Sequence, residues 1–160
     1  MQVRLNDLTG WRRVMCIALR VLIPLTLAFI FIQSMLSPAA SGQESDAVAG
    51  FLSNIFSQDS FIIRNLRQLA HFAEYGILGA EISLYICLYV KNIIPSSLAS
   101  LGAAQSVALV DETLQIFSGR VADLRDVWTD FLGFFTLSLI TYLVFLFVKS
   151  LKIKKDKSNG

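Results

Sequence analysis

Nearly unbroken apolar runs occupy about residues 14–35, 72–90, 98–117 and 127–148, with polar and charged positions crowded between them. Each run approaches the ~20 residues that a helix needs to cross ~30 Å of hydrocarbon. Backbone groups cannot stay unpaired in lipid, so runs of this length predict helices. The third opens SSLASLGAAQSVALVDE, rich in small rather than bulky residues. Small side chains let helices approach closely, which predicts a place inside a bundle. Between the first two runs, SPAASGQESDAV reads as a polar, flexible linker. Beyond it Phe51, Leu52, Ile55 and Phe56 share a helical face, as do Ile62, Ile63 and Leu66. Short amphipathic pieces of this kind lie at a membrane interface or cap a bundle. The predicted fold class is all-α, an integral membrane four-helix bundle with a short amphipathic external segment between the first and second helices.

Composition agrees. The chain of 160 residues is 54% hydrophobic and 16% charged, against about 25% charged in soluble domains. A net charge of +2 gives no argument for nucleic acid. Cys16 and Cys87 each sit in an apolar run without metal-ligand spacing, and read as buried free thiols.

The placement of basic residues predicts orientation. Arg4, Arg12 and Arg13 precede the first run, and Lys149, Lys152, Lys154, Lys155 and Lys157 follow the fourth. The positive-inside rule puts both termini in the cytoplasm, with the short loop at Lys91 on the same side. The expected division is a cytoplasmic 1–13, a first span at 14–36, an external segment at 37–70, three further spans within 71–148, and a basic cytoplasmic tail at 149–160. The localisation is the cytoplasmic (inner) membrane, multi-pass. The first run has the basic start of a signal peptide, but it exceeds the 7–15 residues of a signal core and contains Arg20, so it reads as retained.

This topology, drawn only from Lys and Arg, has a consequence for the acidic residues. His71, Glu74 and Tyr75 fall at the external end of the second helix, Asp111, Glu112 and Gln115 in the last turns of the third, and Asp126 and Asp130 in the first turns of the fourth. Three helices bring polar groups to one leaflet. His71, Glu74, Tyr75 and Leu78 follow i, i+3, i+4, i+7 spacing, Asp111 and Gln115 are i, i+4, and Asp126, Asp130 and Gly133 continue a stripe. Asp111 lies ~9 Å inside its helix end at 1.5 Å per residue. A carboxylate at a span's centre costs ~2.5–3.5 kcal/mol, less near the interface. Arg64, Arg67, Arg120 and Arg125 are nearby cations.

Taken singly, these residues have plainer readings. Asp123 is best placed to cap the fourth helix; Asp126 and Glu74 could equally complement a helix dipole. Gly119 follows the third helix, where a left-handed C-cap is common. His71 alone would read as interfacial. As a set they read as a functional cavity. Outside it, Glu81 near mid-bilayer and Arg20 in the first helix allow a pairing across helices.

Three motifs, RQLAHFAEY (67–75), DETLQIFSGR (111–120) and DVWTDFLG (126–133), make the chain similar to the VanZ-like family over roughly residues 30–147. The serine-bearing SPAASGQES fits as well. Gln68 stands where that family usually has lysine, and Ser118 replaces a proline before Gly119. The founding member confers low-level teicoplanin resistance, so the resemblance implies a link to glycopeptide resistance or envelope homeostasis.

Three functions could use the cluster of Arg67, His71, Glu74, Tyr75, Asp111, Glu112, Gln115, Arg120, Asp126 and Asp130. The first is binding of membrane lipids through a headgroup, of a lipid-linked cell-wall precursor, or of a lipoglycopeptide, with Arg120 as a bidentate fork for phosphate or carboxylate. The second is a metal-dependent hydrolase or transferase acting on a lipid-linked phosphate or ester. A divalent metal would be held by His71, Glu74, Asp111 and Glu112, an oxygen-rich set suited to Mg or Ca. No HExxH or paired-histidine signature accompanies them, and the residues name no firm cofactor. The third is proton or ion movement through Glu81 and the external carboxylates. Binding is the favoured reading. The sequence leaves oligomeric state and catalytic residues unknown.

Overall fold

The computed structural model describes residues 10–57, 60–90, 92–121 and 123–158, without the side chains of Glu44 and of residues 152–158. Arg4, Lys91 and the lysines from Lys152 onward, which carry part of the orientation argument, therefore lie outside the described residues or side chains. Six helices follow in order: α1 (Trp11–Ser34), α2 (Pro38–Leu52), α3 (Phe61–Arg64), α4 (Leu66–Tyr89), α5 (Ile93–Phe117) and α6 (Leu124–Ser158). Among the described residues there is no strand.

Among the described residues, three helices are long and apolar enough to cross a membrane: α1, α5 and the stretch Leu124–Leu151 of α6. Their apolar side chains are largely exposed, with Val21, Leu25 and Ile32 on α1 and Leu143, Val144 and Phe147 on α6 all facing outward. Helices apolar on their outer surface suit lipid rather than water. The predicted second span corresponds to α4. At 24 residues it has the same length as α1, but Arg67, His71, Glu74 and Glu81 make it less apolar. It compensates by packing, since α4 contacts α1, α5 and α6.

The segment after α1 is more ordered than a flexible linker. Ser37 starts α2 by accepting a hydrogen bond from Ala40 N (3.3 Å), and Pro38 takes the first helical position, where its missing N–H costs nothing. Ala, Gln and Glu then supply helix propensity enough to carry the polar stretch. The amphipathic face expected over residues 51–56 does not continue as helix, because α2 ends at Leu52 and turns follow.

Close backbone contact joins α4 to α6. A Cβ on Gly79 would meet the Phe134 carbonyl oxygen at 2.4 Å, and one on Gly133 would meet that of Phe72 at 2.3 Å. Ser138 Oγ donates to Gly79 O across this seam (3.2 Å). A core of Ile30, Tyr75, Leu78, Ala104, Ala108, Val127 and Phe134 draws on all four long helices. Cys16 and Cys87 are buried free thiols, as expected.

Arg20 and Glu81 do not pair. Arg20 Nε donates to Tyr85 Oη (3.2 Å) and its guanidinium lies 4.9 Å from the Tyr89 ring centroid. Glu81 instead accepts from Thr26 Oγ1 (3.1 Å). The two tyrosines on α4 offer Arg20 a hydrogen bond and a π face near its own end of α1, so it has no need to reach a full turn further for the acid. A charge-swapped Arg20→Glu/Glu81→Arg double mutant should therefore express no better than the single mutants. Rescue of folded protein in size-exclusion profiles would show that the two charges do meet.

Candidate functional site

The polar residues meet where α1 and α5 end and α4 and α6 begin. That end is shaped first by the α5–α6 turn. Gly119 has φ 84, a left-handed value that glycine adopts without strain. With it, Gly119 N donates to Ile116 O (3.0 Å) and Arg120 N to Gln115 O (2.9 Å), a Schellman ending that satisfies two late carbonyls of α5. Ser118 Oγ donates to Ser34 O (3.1 Å), tying the turn to the end of α1. Asp123 caps α6, its Oδ1 accepting from Arg125 N (2.9 Å).

Two layers result. The outer layer is a cavity of about 420 Å³, walled by Arg67, His71 and Glu74 of α4, Gln115 and Arg120 from the α5 end, Gln33 and Ser34 of α1, and Ser41, Ser45 and Val48 of α2. The inner layer is acidic. Asp111, Glu112, Asp126 and Asp130 are each at most 5% exposed, and they come from α5 and α6.

Gln115 and Arg67 connect the layers. Fully buried Gln115 donates through Nε2 to Glu112 Oε1 (3.0 Å) and Asp111 Oδ2 (3.4 Å), while its Oε1 accepts from Arg67 Nη2 (2.8 Å). Arg67 Nη2 also lies 2.7 Å from Asp126 Oδ2. Glu112 Oε2 accepts from Asp123 N (2.8 Å), so this carboxylate locks the turn as well. Asp111 Oδ1 accepts from Ser34 Oγ. His71 Nδ1 stands 3.0 Å from Asp130 Oδ1, and its Nε2 is 3.9 Å from Asp126 Oδ2.

All ten residues singled out in the sequence gather at this end, in different roles. Tyr75 belongs to the apolar core, fully buried, with no hydrogen-bond partner for its hydroxyl among the described residues. Arg64 and Arg125, considered as partners for the acids, are exposed and enter no ion pair among the described residues. Of the residues considered for a metal, His71 and Asp111 converge, and the third donor is Asp130. Glu112 is occupied by Gln115 and the turn, and Glu74 lines the cavity.

The sequence reading missed Gln33 and Ser34. Their signal was present, as a polar pair closing the apolar run LAFIFIQS at the end where the other helices place their acids.

Arg120 differs from Arg67. Its guanidinium makes no hydrogen bond or ion pair among the described residues, though it borders the cavity. Burial and the neighbouring Arg67 charge pull its pKa below the ordinary value. Arginine nevertheless stays protonated in proteins, so the cavity wall carries a cation that feels Asp111, Glu112 and Asp126 at a distance but makes no direct ion pair among the described residues.

A family model described as VanZ/LLP1 matches residues 16–147. The chain belongs to that family. The match spans α1 to most of α6, and with the apolar helices it makes this a VanZ-like, multi-pass membrane protein. No curated protein and no solved structure matches the chain.

Proposed function

We propose that this VanZ-like protein binds an anionic headgroup in the cavity between α1, α2, α4 and the α5–α6 turn. The carrying observation is Arg120, a cation without an ion pair among the described residues on the wall of a cavity of about 420 Å³. Its planar fork suits a phosphate or carboxylate, held bidentately. Gln33, Ser41 and Ser45 offer polar groups beside it, and Ala47, Val48 and Leu66 offer an apolar margin. That mixture suits an amphipathic occupant. Ligand sites commonly measure about 300–1,000 Å³, so this volume accommodates a lipid or cell-wall-precursor headgroup, and only part of a lipoglycopeptide.

In this reading α4 is a fourth span, tolerated in lipid because its polar face is covered by α6, α5 and α2. Both termini are cytoplasmic, the cavity opens at the external leaflet of the inner membrane, and the contribution to glycopeptide resistance or envelope homeostasis runs through the bound headgroup.

The test is binding of phosphatidylglycerol against phosphatidylcholine to the purified full chain, read by native mass spectrometry. Hydrogen bonds to charged groups contribute ~1.5–3 kcal/mol, so Arg120→Ala should weaken phosphatidylglycerol binding by roughly 10–150-fold. Arg125→Ala, an exposed cation away from the cavity, should leave it unchanged. Equal losses in both variants would mean a general surface attraction instead of a site.

A further inference from the structure

Behind the cavity wall the charges do not balance. Asp111, Glu112, Asp126 and Asp130 are buried, and the nearest cations with fixed charge are Arg67 and Arg120. Four carboxylates against two guanidiniums leave an excess of two negative charges if His71 is neutral. A buried excess of that size is costly unless protons or a cation meet it.

The arrangement of donors favours a cation. One ligand atom from each of His71, Asp111 and Asp130 lies within 4.8 Å of the others. Neighbouring ligands of an ion bound at ~2.1 Å stand ~3 Å apart, and His71 Nδ1 is already 3.0 Å from Asp130 Oδ1. Closing separations of up to 4.8 Å to that spacing takes side-chain shifts that together reach about 1.8 Å.

The surroundings supply a second, separate indication. Asp130 Oδ2 and Asp126 Oδ1 are buried and accept no hydrogen bond among the described residues, although both side chains are almost wholly shielded. Buried carboxylate oxygens without donors are rare and call for a partner. Asp126 also faces the far nitrogen of the imidazole at 3.9 Å. At 3.9 Å this is beyond hydrogen-bond range, and a small ring rotation would bring it to the carboxylate contact that metal-bound histidines commonly make through their second nitrogen. Ser34 and Gln115 hydrogen-bond Asp111 and fix its orientation, leaving each oxygen a further lone pair.

We propose that His71, Asp111 and Asp130 bind one divalent cation, with Asp126 and Gln115 orienting the ligands. One imidazole and two carboxylates suit Mn2+ or Zn2+ better than the all-oxygen preference of Ca2+. The site stands behind the headgroup cavity and does not depend on what the cavity holds.

The experiment uses the full chain in detergent, stripped with a chelator, then titrated with Mn2+ or Zn2+ alone and desalted. Elemental analysis should find about one equivalent per chain, and metal should raise the melting temperature of the wild type. Asp130→Asn keeps the shape and a hydrogen bond to His71 while removing a ligand charge, and should weaken metal binding about tenfold or more. Asp46→Asn, at an exposed carboxylate of α2 outside both the triad and the cavity lining, should bind metal as the wild type does. Folding of each variant is read independently from its size-exclusion profile and helical circular dichroism. Sub-stoichiometric metal in folded wild-type protein, or equal metal in wild type and Asp130→Asn, would overturn the proposal and leave protons as the balancing charge. Headgroup binding is measured without added metal through Arg120→Ala, so the two proposals fail separately.

Discussion

Gly133→Ala should lower the melting temperature of the purified protein by roughly 6–12 °C and weaken metal binding with it. The added Cβ would sit 2.3 Å from the Phe72 carbonyl oxygen and 3.0 Å from its Cα and carbonyl carbon. All three obstacles are backbone, so no rotamer change relieves them and α4 and α6 must separate. Overpacking costs ~1–3 kcal/mol where side chains can adjust, which places a backbone collision at about 3 kcal/mol or above. At ~2–4 °C per kcal/mol for a chain of this size, the stated shift follows. The functional loss has a geometric cause. Phe72 follows His71, and Gly133 lies three residues after Asp130, so the contact between them holds His71 Nδ1 at 3.0 Å from Asp130 Oδ1. Moving the helices apart even slightly breaks that contact first. Gly102→Ala supplies the control, because nothing lies within 4 Å of its new methyl group, and in a helix alanine is favoured over glycine by ~1 kcal/mol. If Gly133→Ala melts with the wild type while Gly102→Ala does not, the close seam between α4 and α6 is wrong.

The role of Gly133 marks how far the sequence could be read. Its position in a stripe with Asp126 and Asp130 was visible, since helix periodicity follows directly from residue spacing. Which backbone would press against it was not, because that depends on the crossing of two distant helices. The same division holds elsewhere. Long apolar runs predict α1, α5 and the Leu124–Leu151 stretch of α6 closely, because the hydrophobic requirement for crossing lipid dominates local preference; the remainder of α6 to Ser158 continues past the apolar run. The polarity of SPAASGQESDAV predicts a flexible stretch, yet the Ser37–Pro38 start signal outweighs polarity and α2 forms. In the site, Gly119 and Asp123 declared themselves because helix ends have local signatures. By contrast, the substitution of Asp130 for Glu74 and Glu112 beside His71 and Asp111 needed three dimensions. On α4, Glu74 follows His71 by three residues and looks like the natural partner, but the α6 carboxylate arrives first.

Gln115→Leu should cost about 3–5 kcal/mol, although leucine nearly matches glutamine in volume. Only one orientation of the amide satisfies its neighbours. With Nε2 toward Glu112 and Asp111 and Oε1 toward Arg67, every contact pairs a donor with an acceptor. Leucine would leave two buried carboxylate oxygens without this donor, at ~1–3 kcal/mol each. Arg67 is 41% exposed, so water replaces much of what it loses and its share is small. Gln115→Glu should fare no better, because it retains an acceptor for Arg67 but sets a third carboxylate against Asp111 and Glu112. A double-mutant cycle isolates the cause. In a Glu112→Gln background the cost of Gln115→Leu should fall by at least ~1 kcal/mol, since the partner no longer carries a charge and the two sites are in contact. Chemical denaturation of the four proteins gives the coupling directly. Strict additivity would mean that Gln115 contributes only its volume, and that the acids are held apart by the turn alone.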